Sequence, residues 1–318
     1  MYDIFYLYVM RESKMSELVI YKANELAVSR YDLTEHETKL ILCCVSLLNP
    51  TIENPTREQR TIKIGYQEYA RMMNLSFDNA YHRLNKATSE LMTKTVEIIY
   101  PTGDTEKTIF QWVNFAKFSR KEQSLELTFS EHIIPYLFQL KKFIKYNLEH
   151  VKSFENKYSM RVYELLLKEL TQRKTYKANI QISIDEFKFM LMLEKHKSYN
   201  QFFEFNRKVL KPISSDINTY SNMKLVIEKK GRPVNTLIFQ VELDKQIDIV
   251  RELNNLDNEM HHKLVKVLEI AYMSKITLSE FESKFLNDMK AKYDLNCSFS
   301  SLSDKQRNTL NKILSKYL

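Results

Sequence analysis

The chain runs twice through the same order of predicted elements, and this repetition restricts the fold more than any single motif does. Each copy begins with an amphipathic helix, followed by a short strand in which apolar residues alternate with polar ones. A short helix, a longer helix and a β-hairpin complete each copy. Most of the 318 residues lie within these two copies.

The first copy is read from helical periodicity, strand alternation and turn residues. Its predicted elements are a leading helix over Leu33–Leu48, a strand over Thr61–Gly65, a short helix over Tyr66–Asn74 and a long helix over Phe77–Lys94. Thr34 is a predicted N-cap because Glu37 follows it at capping-box spacing, and Asp78 is a candidate cap of the long helix. Pro101, Gly103 and Asp104 mark a hairpin tip in the strand-rich segment that follows.

The second copy repeats this order. Its predicted elements are a leading helix over Tyr158–Leu170, the strand Asn179–Ser183, a short helix over Ile184–Leu193, a long helix over Tyr199–Tyr220 capped by Ser198, and a hairpin over Met223–Leu243. A helix-turn-helix with a two-stranded hairpin beside it is the winged-helix arrangement. The sequence therefore predicts an α+β, predominantly helical fold with two tandem winged-helix domains and a helical C-terminal extension.

These elements divide the chain into five parts. They are an N-terminal extension (1–17), a first winged-helix domain (18–134), a connecting segment (135–157), a second winged-helix domain (158–245) and a helical C-terminal region of unassigned role (246–318). Met1, Met10 and Met15 are alternative starts. The apolar residues Phe143, Ile144 and Leu148 predict that the connecting segment is partly ordered.

The charge of the chain favours an anionic partner. Lysine and arginine number 48 against 40 acidic residues, which gives a net charge of +8. Nine basic and four acidic residues lie between Glu194 and Arg232, so much of the excess falls on the second long helix and its hairpin. A basic cluster of this kind is typical of nucleic-acid binding.

The second long helix has the pattern of a DNA-reading helix, with an apolar stripe on one side and cations on the other. Arg207 and Asn200 are predicted to contact bases, whereas Lys208 and Lys211 suit phosphates. The hairpin tip adds Lys229, Lys230 and Arg232 around Gly231. The first long helix repeats the pattern more weakly, with the candidate contacts Asn79, Arg83 and Lys86.

The composition excludes several other classes of protein. Only three glycines occur, so neither GxGxxG nor the phosphate-binding GxxxxGK[ST] pattern is present. No cysteines form a CxxC pair, and the adjacent His261 and His262 point about 100° apart on a helix, which disfavours a metal site. No apolar run reaches about 18 residues. The sequence therefore predicts a cytoplasmic protein without membrane association, cofactor, metal or catalytic residues, and not an enzyme.

Three stretches carry a family resemblance. They are "VIYKANELAVSRYDLTEHETKLILCCVSLLNP", "HRLNKATSELMTKTVEI" and "FNRKVLKPISSDINTYSNMKLVIEKKGRPVNTLIFQVEL". Together they resemble the iteron-binding, theta-type plasmid replication initiators, that is, the Rep type-3 initiator family with its RepE-like and Pi-like members. The resemblance covers about Leu18–Leu243, and the tail after Gln246 departs from the compact members of that family.

The resemblance implies a protein that binds double-stranded DNA at repeated sites, the iterons, of a plasmid origin. It also implies origin opening, recruitment of the host initiator and the replicative helicase, and a homodimer in equilibrium with the monomer. Such a dimer represses its own gene, and the first domain carries the dimer contacts. Base reading falls on Arg207 and its neighbours in the second domain.

A dimeric winged-helix transcriptional regulator without initiator activity remains an alternative, because one fold serves many functions. A regulator of that kind binds inverted half-sites, whereas an initiator binds direct repeats. The sequence leaves this choice open.

Overall fold

A computed structural model of the protein describes residues 18–100, 104–244, 260–273, 276–296, 299 and 302–317. Described residues up to Leu243 form one compact unit, and those from Asp244 onward form a second. The predicted N-terminal extension, with Met1, Met10 and Met15, lies outside the described residues, as does the start of the predicted C-terminal region.

The first copy forms a helical layer against a small antiparallel sheet. In chain order its elements are β1 (Val19–Ala23), α1 (Asn24–Ala27), α2 (Glu35–Ser46), β2 (Thr61–Gly65), α3 (Tyr66–Met72), α4 (Phe77–Leu91), β3 (Thr95–Ile99), β4 (Lys107–Gln111), β5 (Val113–Ser119) and β6 (Ser124–Phe129). The capping box at the start of α2 is confirmed: the Thr34 hydroxyl accepts from the Glu37 amide, and the Glu37 carboxylate accepts from the Thr34 amide. In contrast, Ser76 rather than Asp78 occupies the N-cap of α4, and Asp78 lies in its first turn.

The wing of the first copy is not the hairpin whose tip was predicted at Pro101, Gly103 and Asp104. The three-stranded sheet has the order β2–β6–β5, so β5 and β6 form the wing, and their turn contains Arg120 and Lys121. Strands β3 and β4 pair with each other in a separate two-stranded sheet. Asp104 lies in the connection between β3 and β4, and the other two predicted tip residues, Pro101 and Gly103, lie outside the described residues.

The second copy has the same strand order. Its elements are α6 (Ser159–Arg173), β8 (Lys177–Ser183), α7 (Ile184–Met190), α8 (Phe202–Phe205), a π-helical segment (Asn206–Leu210), α9 (Lys211–Tyr220), β9 (Met223–Lys230) and β10 (Thr236–Leu243). Strand β10 pairs with β8 and β9, which gives the order β8–β10–β9. The two sheets therefore have matching topology, and the prediction of two winged-helix domains is confirmed.

The connecting segment is ordered and folds back on the start of the chain. It contains α5 (Ile134–Leu137) and β7 (Phe143–Asn147), and β7 pairs antiparallel with β1, Val19 opposite Asn147. The domain boundaries at 134 and 158 stay a prediction, since both copies belong to one compact unit with a continuous apolar core.

A buried ion pair joins the two copies within this core. The Lys22 ammonium donates to both oxygens of the Glu164 carboxylate, at 2.8 and 2.7 Å, and the Tyr146 hydroxyl also donates to this carboxylate. Burial disfavours the charged lysine, but the adjacent Glu164 outweighs it and raises the pKa of Lys22. Strands β1 and β7 are thereby tied to α6 of the second copy.

A second buried cation fixes the same junction. The Arg161 guanidinium donates to the backbone carbonyls of Ser29, Tyr31 and Met190. Its face also lies 4.2 Å from the centroid of the Tyr31 ring. Because these carbonyls belong to both copies, Arg161 bonds the first copy to the end of α7.

The second unit has its own small core. It contains a helix over 260–272, called α10, followed by α11 (Glu280–Asn296) and α12 (Asp304–Tyr317). The side chains at the centre of this core are Leu264, Val267, Leu286, Met289, Leu310 and Ile313. The predicted helical character of this region is confirmed for its described part. No helix in the described ranges is long and apolar enough to cross a membrane.

Candidate nucleic-acid interface

The second long helix, which comprises α8, the π-helical segment and α9, has one buried and one exposed side. Phe205, Val209, Ile213 and Ile217 are fully buried, as the apolar stripe predicts. Arg207, Lys208 and Lys211 are exposed on the other side. The helix therefore packs on its own domain and presents cations to solvent.

The predicted start of this helix was wrong. Lys197–Asn200 forms a 3₁₀ turn, and the α-helix begins at Phe202 without a side-chain cap bond from Gln201. Tyr199 packs partly buried against the core, so the turn is held to the domain instead of continuing the helix. Ser198 is accordingly not a cap, and Asn200 lies exposed just before the helix rather than on it.

Pro212 accounts for a break in the regular hydrogen bonding of this helix. Proline has no amide hydrogen, and its ring conflicts with the carbonyl four residues earlier, that of Lys208. That carbonyl instead accepts a bond of 3.4 Å from the Asn156 side-chain amide, and the π-helical turn ends two residues before Pro212. The segment that carries Arg207 and Lys208 is thereby stabilised from outside the helix.

Two polar residues of the "DIN" stretch anchor the helix to its surroundings. The Asp216 carboxylate is buried and accepts from the backbone amides of Glu155 and Asn156, at 3.1 and 2.9 Å. The Asn218 side chain bonds both backbone groups of Leu225 on β9. Sequence reasoning missed these roles, although polar residues beside the buried Ile217 were a usable signal. Asp216 thus fixes the helix to the connecting segment, and Asn218 fixes it to the wing.

Glu204 holds two of the predicted DNA contacts. Its carboxylate accepts from Arg207 Nε and Nη2 at 3.3 and 2.9 Å, and lies 3.0 Å from Lys208 Nζ. The hydrogen bond from Arg207, and to a lesser extent the one from Lys208, lowers the pKa of Glu204. The bond to Glu204 in turn raises the pKa of Arg207. The guanidinium is thus held beside Glu204 on the exposed side of the helix.

The wing tip of the second copy presents three exposed cations. Lys229 and Lys230 end β9, and Arg232 follows Gly231, whose φ is +100°. A Cβ at Gly231 would lie 2.7 Å from Asn235 Oδ1 and 2.8 Å from the Pro233 carbonyl, so a larger residue does not fit this turn. Glycine therefore permits the tight tip that brings the cations together.

The first copy presents a weaker version of the same surface. Asn79 and Lys86 are exposed on α4, and Arg83 is half-buried. If Ala80 and Leu84 are superposed on Phe205 and Val209, His82 takes the position of Arg207. The first copy thus has no arginine at the position where the second copy has one.

Sequence reasoning missed Arg120 and Lys121. Both are exposed in the turn between β5 and β6, the equivalent of the Lys229–Arg232 tip. The basic turn was visible in the sequence, but only the pairing of β6 with β2 identifies it as a wing. Beside it, a groove of about 460 Å³ separates the start of α4 from the end of β5.

These elements define a tandem winged-helix protein. Its second long helix and both of its wing tips present exposed cations. No group of acidic, histidine and cysteine side chains that could hold a metal occurs in the described ranges. Residues 19–167 match the family described as "Initiator Replication protein, WH1", and residues 183–241 match "Initiator Rep protein, WH2". The chain belongs to this family of replication initiators, as the resemblance predicted.

Two relatives define the similarity further. A "Replication initiation protein" of Escherichia coli is 65% identical to this chain, and the similarity covers 95% of this chain and 99% of that protein. The fold is similar to that of the Pi initiator protein, whose crystal structure was solved in complex with iteron DNA. That similarity has a TM-score of 0.56 at 23% identity, and it covers 72% of this chain and 98% of the Pi chain.

Proposed function

We propose that this chain is a plasmid replication initiator that binds repeated double-stranded DNA sites, with the second long helix in a major groove. One observation carries the proposal: Arg207, Lys208 and Lys211 are exposed on a helix that packs against β9, the strand that ends at a wing tip with three further cations. Winged-helix proteins use this pair of elements on a duplex.

The side chains differ in the contacts for which they are suited. Arg207 can form a bidentate pair with guanine, at about 1–3 kcal/mol of discrimination, and Asn200 suits adenine at the edge of the helix. Lys208 and Lys211 suit phosphates, which supply affinity but little sequence preference. The wing-tip residues Lys229, Lys230 and Arg232 suit the backbone or the adjacent minor groove.

The two copies within one compact unit support a single chain on two successive major grooves, or a site of about 20 base pairs. The first module contributes Asn79, Arg83 and Lys86, to which its wing tip adds Arg120 and Lys121. A site read by one chain is asymmetric, so it repeats head to tail. Direct repeats are the arrangement that an initiator needs.

We further propose the roles that the family resemblance implies. They are opening of the origin, recruitment of the host initiator and replicative helicase, and repression of the chain's own gene by a dimer. The first domain offers a surface for dimer contacts, since Ile99 and Ile109 are 40% and 57% exposed on one face of the β3–β4 hairpin. No catalytic role is proposed.

Replacing Glu204 with glutamine is expected to strengthen binding to duplexes of unrelated sequence. The change removes the charge that holds Arg207 and Lys208, and it frees about one cation for phosphate. One more phosphate contact steepens the slope of log K against log salt by about 0.9, which is about fivefold in affinity at 0.15 M salt. Fluorescence anisotropy across a salt series measures both quantities. Glu280→Gln, an exposed change in the second unit, is the control, and an unaltered slope for Glu204→Gln would contradict the assigned contact.

Footprinting on the DNA that flanks the gene tests the proposed function. The wild-type chain is expected to protect tandem direct repeats of about 20 base pairs each. Arg207→Ala should lower affinity by about 1–3 kcal/mol and relax base preference at one position of every repeat. Repression by a dimer would appear as separate protection of an inverted pair at the promoter of the gene.

Two results would count against the initiator. Protection of a single palindrome with no tandem repeats would favour the dimeric transcriptional regulator. Unaltered base preference in Arg207→Ala would remove Arg207 from the reading surface. Either result leaves the fold and the family membership in place.

A further inference from the structure

Helix α8 contains three phenylalanines that are not equivalent. Phe205 is fully buried, and Phe202 packs partly buried against the same core. Phe203 points the other way and is 71% exposed. Because so little of its ring leaves water on folding, the core does not account for a large apolar side chain at this position.

Phe203 lies on the cationic side of the second long helix. Arg207 follows it at i+4, so the two side chains share one face of the helix. Glu204, Lys208 and Lys211, which also belong to this side of the helix, are charged. A patch of charged groups around one ring fits a nucleic acid better than the apolar surface of a protein partner.

An apolar side chain on a helix in the major groove has one specific partner there, the 5-methyl group of thymine. We propose that Phe203 packs on such a methyl and makes the site specific for a T·A pair. The inference rests on the proposed function, since it requires this helix to lie in the groove. Phe203 thereby adds apolar readout to the hydrogen-bonding readout of Arg207.

The spacing of the two side chains locates the thymine. Four helical residues advance by about 6 Å, and one base pair by about 3.4 Å. The thymine therefore lies one or two base pairs from the base that Arg207 contacts. When His82 is aligned with Arg207, Asp78 takes the position of Phe203. Because Asp78 is acidic and not apolar, the methyl readout is expected only in the half of the site bound by the second module.

The experiment removes the methyl group and the ring separately. A duplex is first enriched on the full-length wild-type chain from a random pool, and each of its thymines is then replaced singly by deoxyuridine. This replacement deletes the methyl and leaves every hydrogen-bonding group in place. At one thymine the wild-type chain is expected to lose about fourfold in affinity, the value for one buried methyl group.

Variants of Phe203 identify the contact. Phe203→Ala should bind the unmodified duplex at least about fourfold more weakly and should be insensitive to deoxyuridine at that thymine. Phe203→Leu, which keeps an apolar side chain, should retain part of the sensitivity. Phe281→Ala removes a ring of similar exposure, 64%, from the second unit and should change neither affinity nor sensitivity. An unaltered thermal midpoint shows that each variant is folded.

The outcomes separate the inference from the proposed function. If no duplex is enriched even at low salt, both are overturned. If a duplex binds but no deoxyuridine weakens it, or if Phe203→Ala keeps the full deoxyuridine effect, only the methyl contact is overturned. If Phe203→Ala binds DNA like the wild type, Phe203 serves another partner and the inference is again wrong.

Discussion

Replacing Lys22 with methionine is expected to lower the free energy of unfolding by about 3–5 kcal/mol. The Lys22 side chain is 1% exposed, and its ammonium lies within hydrogen-bond distance of both oxygens of the Glu164 carboxylate. Methionine fills a similar volume but leaves that carboxylate charged and buried, and among the described residues only the Tyr146 hydroxyl still donates a hydrogen bond to it. Removing one partner of a buried ion pair is among the most destabilising changes that a single substitution can make.

Unfolding can be followed through the single tryptophan, Trp112, which is buried in the same core. The centroid of its ring lies 6.0 Å from Lys22 Nζ. Urea unfolding followed by its fluorescence reports on the first unit. Lys117→Met, which breaks an exposed pair with Glu126, is the matched control and should cost less than about 1 kcal/mol.

A double variant tests the cause of the loss. Lys22→Met combined with Glu164→Gln removes both charges of the buried pair, and it should recover most of the lost stability. Equal losses for Lys22→Met and Lys117→Met would show that the buried pair does not hold the two copies together. Failure of the double variant to recover would assign the loss to packing instead of charge.

Replacing Lys229, Lys230 and Arg232 together with alanine is expected to weaken binding to every duplex by about 100-fold at 0.15 M salt. Each phosphate contact contributes about 0.9 to the slope of log K against log salt, so three lost contacts flatten the slope by about 2.7. All three side chains are exposed at the β9–β10 tip, so their removal should leave the core intact. Base preference should be unaltered, since phosphates carry no sequence information.

The control for the wing carries the same change in charge. Lys284, Lys305 and Lys312 are exposed in the second unit, and their joint replacement by alanine removes three positive charges there. Anisotropy titrations from about 0.05 to about 0.3 M salt, over which screening of the charges increases, give the slope for each protein. Equal flattening in both triple variants would show that net charge, and not the wing, governs affinity.

Local interactions explain what the sequence alone determined about this protein. The repeated order of helices and strands, the apolar stripe from Phe205 to Ile217 and the capping box of Thr34 all depend on residues within a few positions of one another. Such patterns survive in the fold because each element must bury its apolar side. The same stripe predicted that Arg207, Lys208 and Lys211 lie on the exposed side of the second long helix, and all three are exposed there.

Only the tertiary structure decided which distant segments meet. The two hairpins of the first copy alternate in the same way, and the pairing of β6 with β2 selects the second of them as the wing. Lys22 and Glu164 are 142 residues apart, and nothing near either residue predicts that it will be buried. The Asp216 carboxylate likewise accepts from backbone amides that lie about 60 residues earlier in the chain. Periodicity records which side of an element is apolar, whereas long-range pairing depends on the fit of whole surfaces, and no short stretch of sequence contains that information.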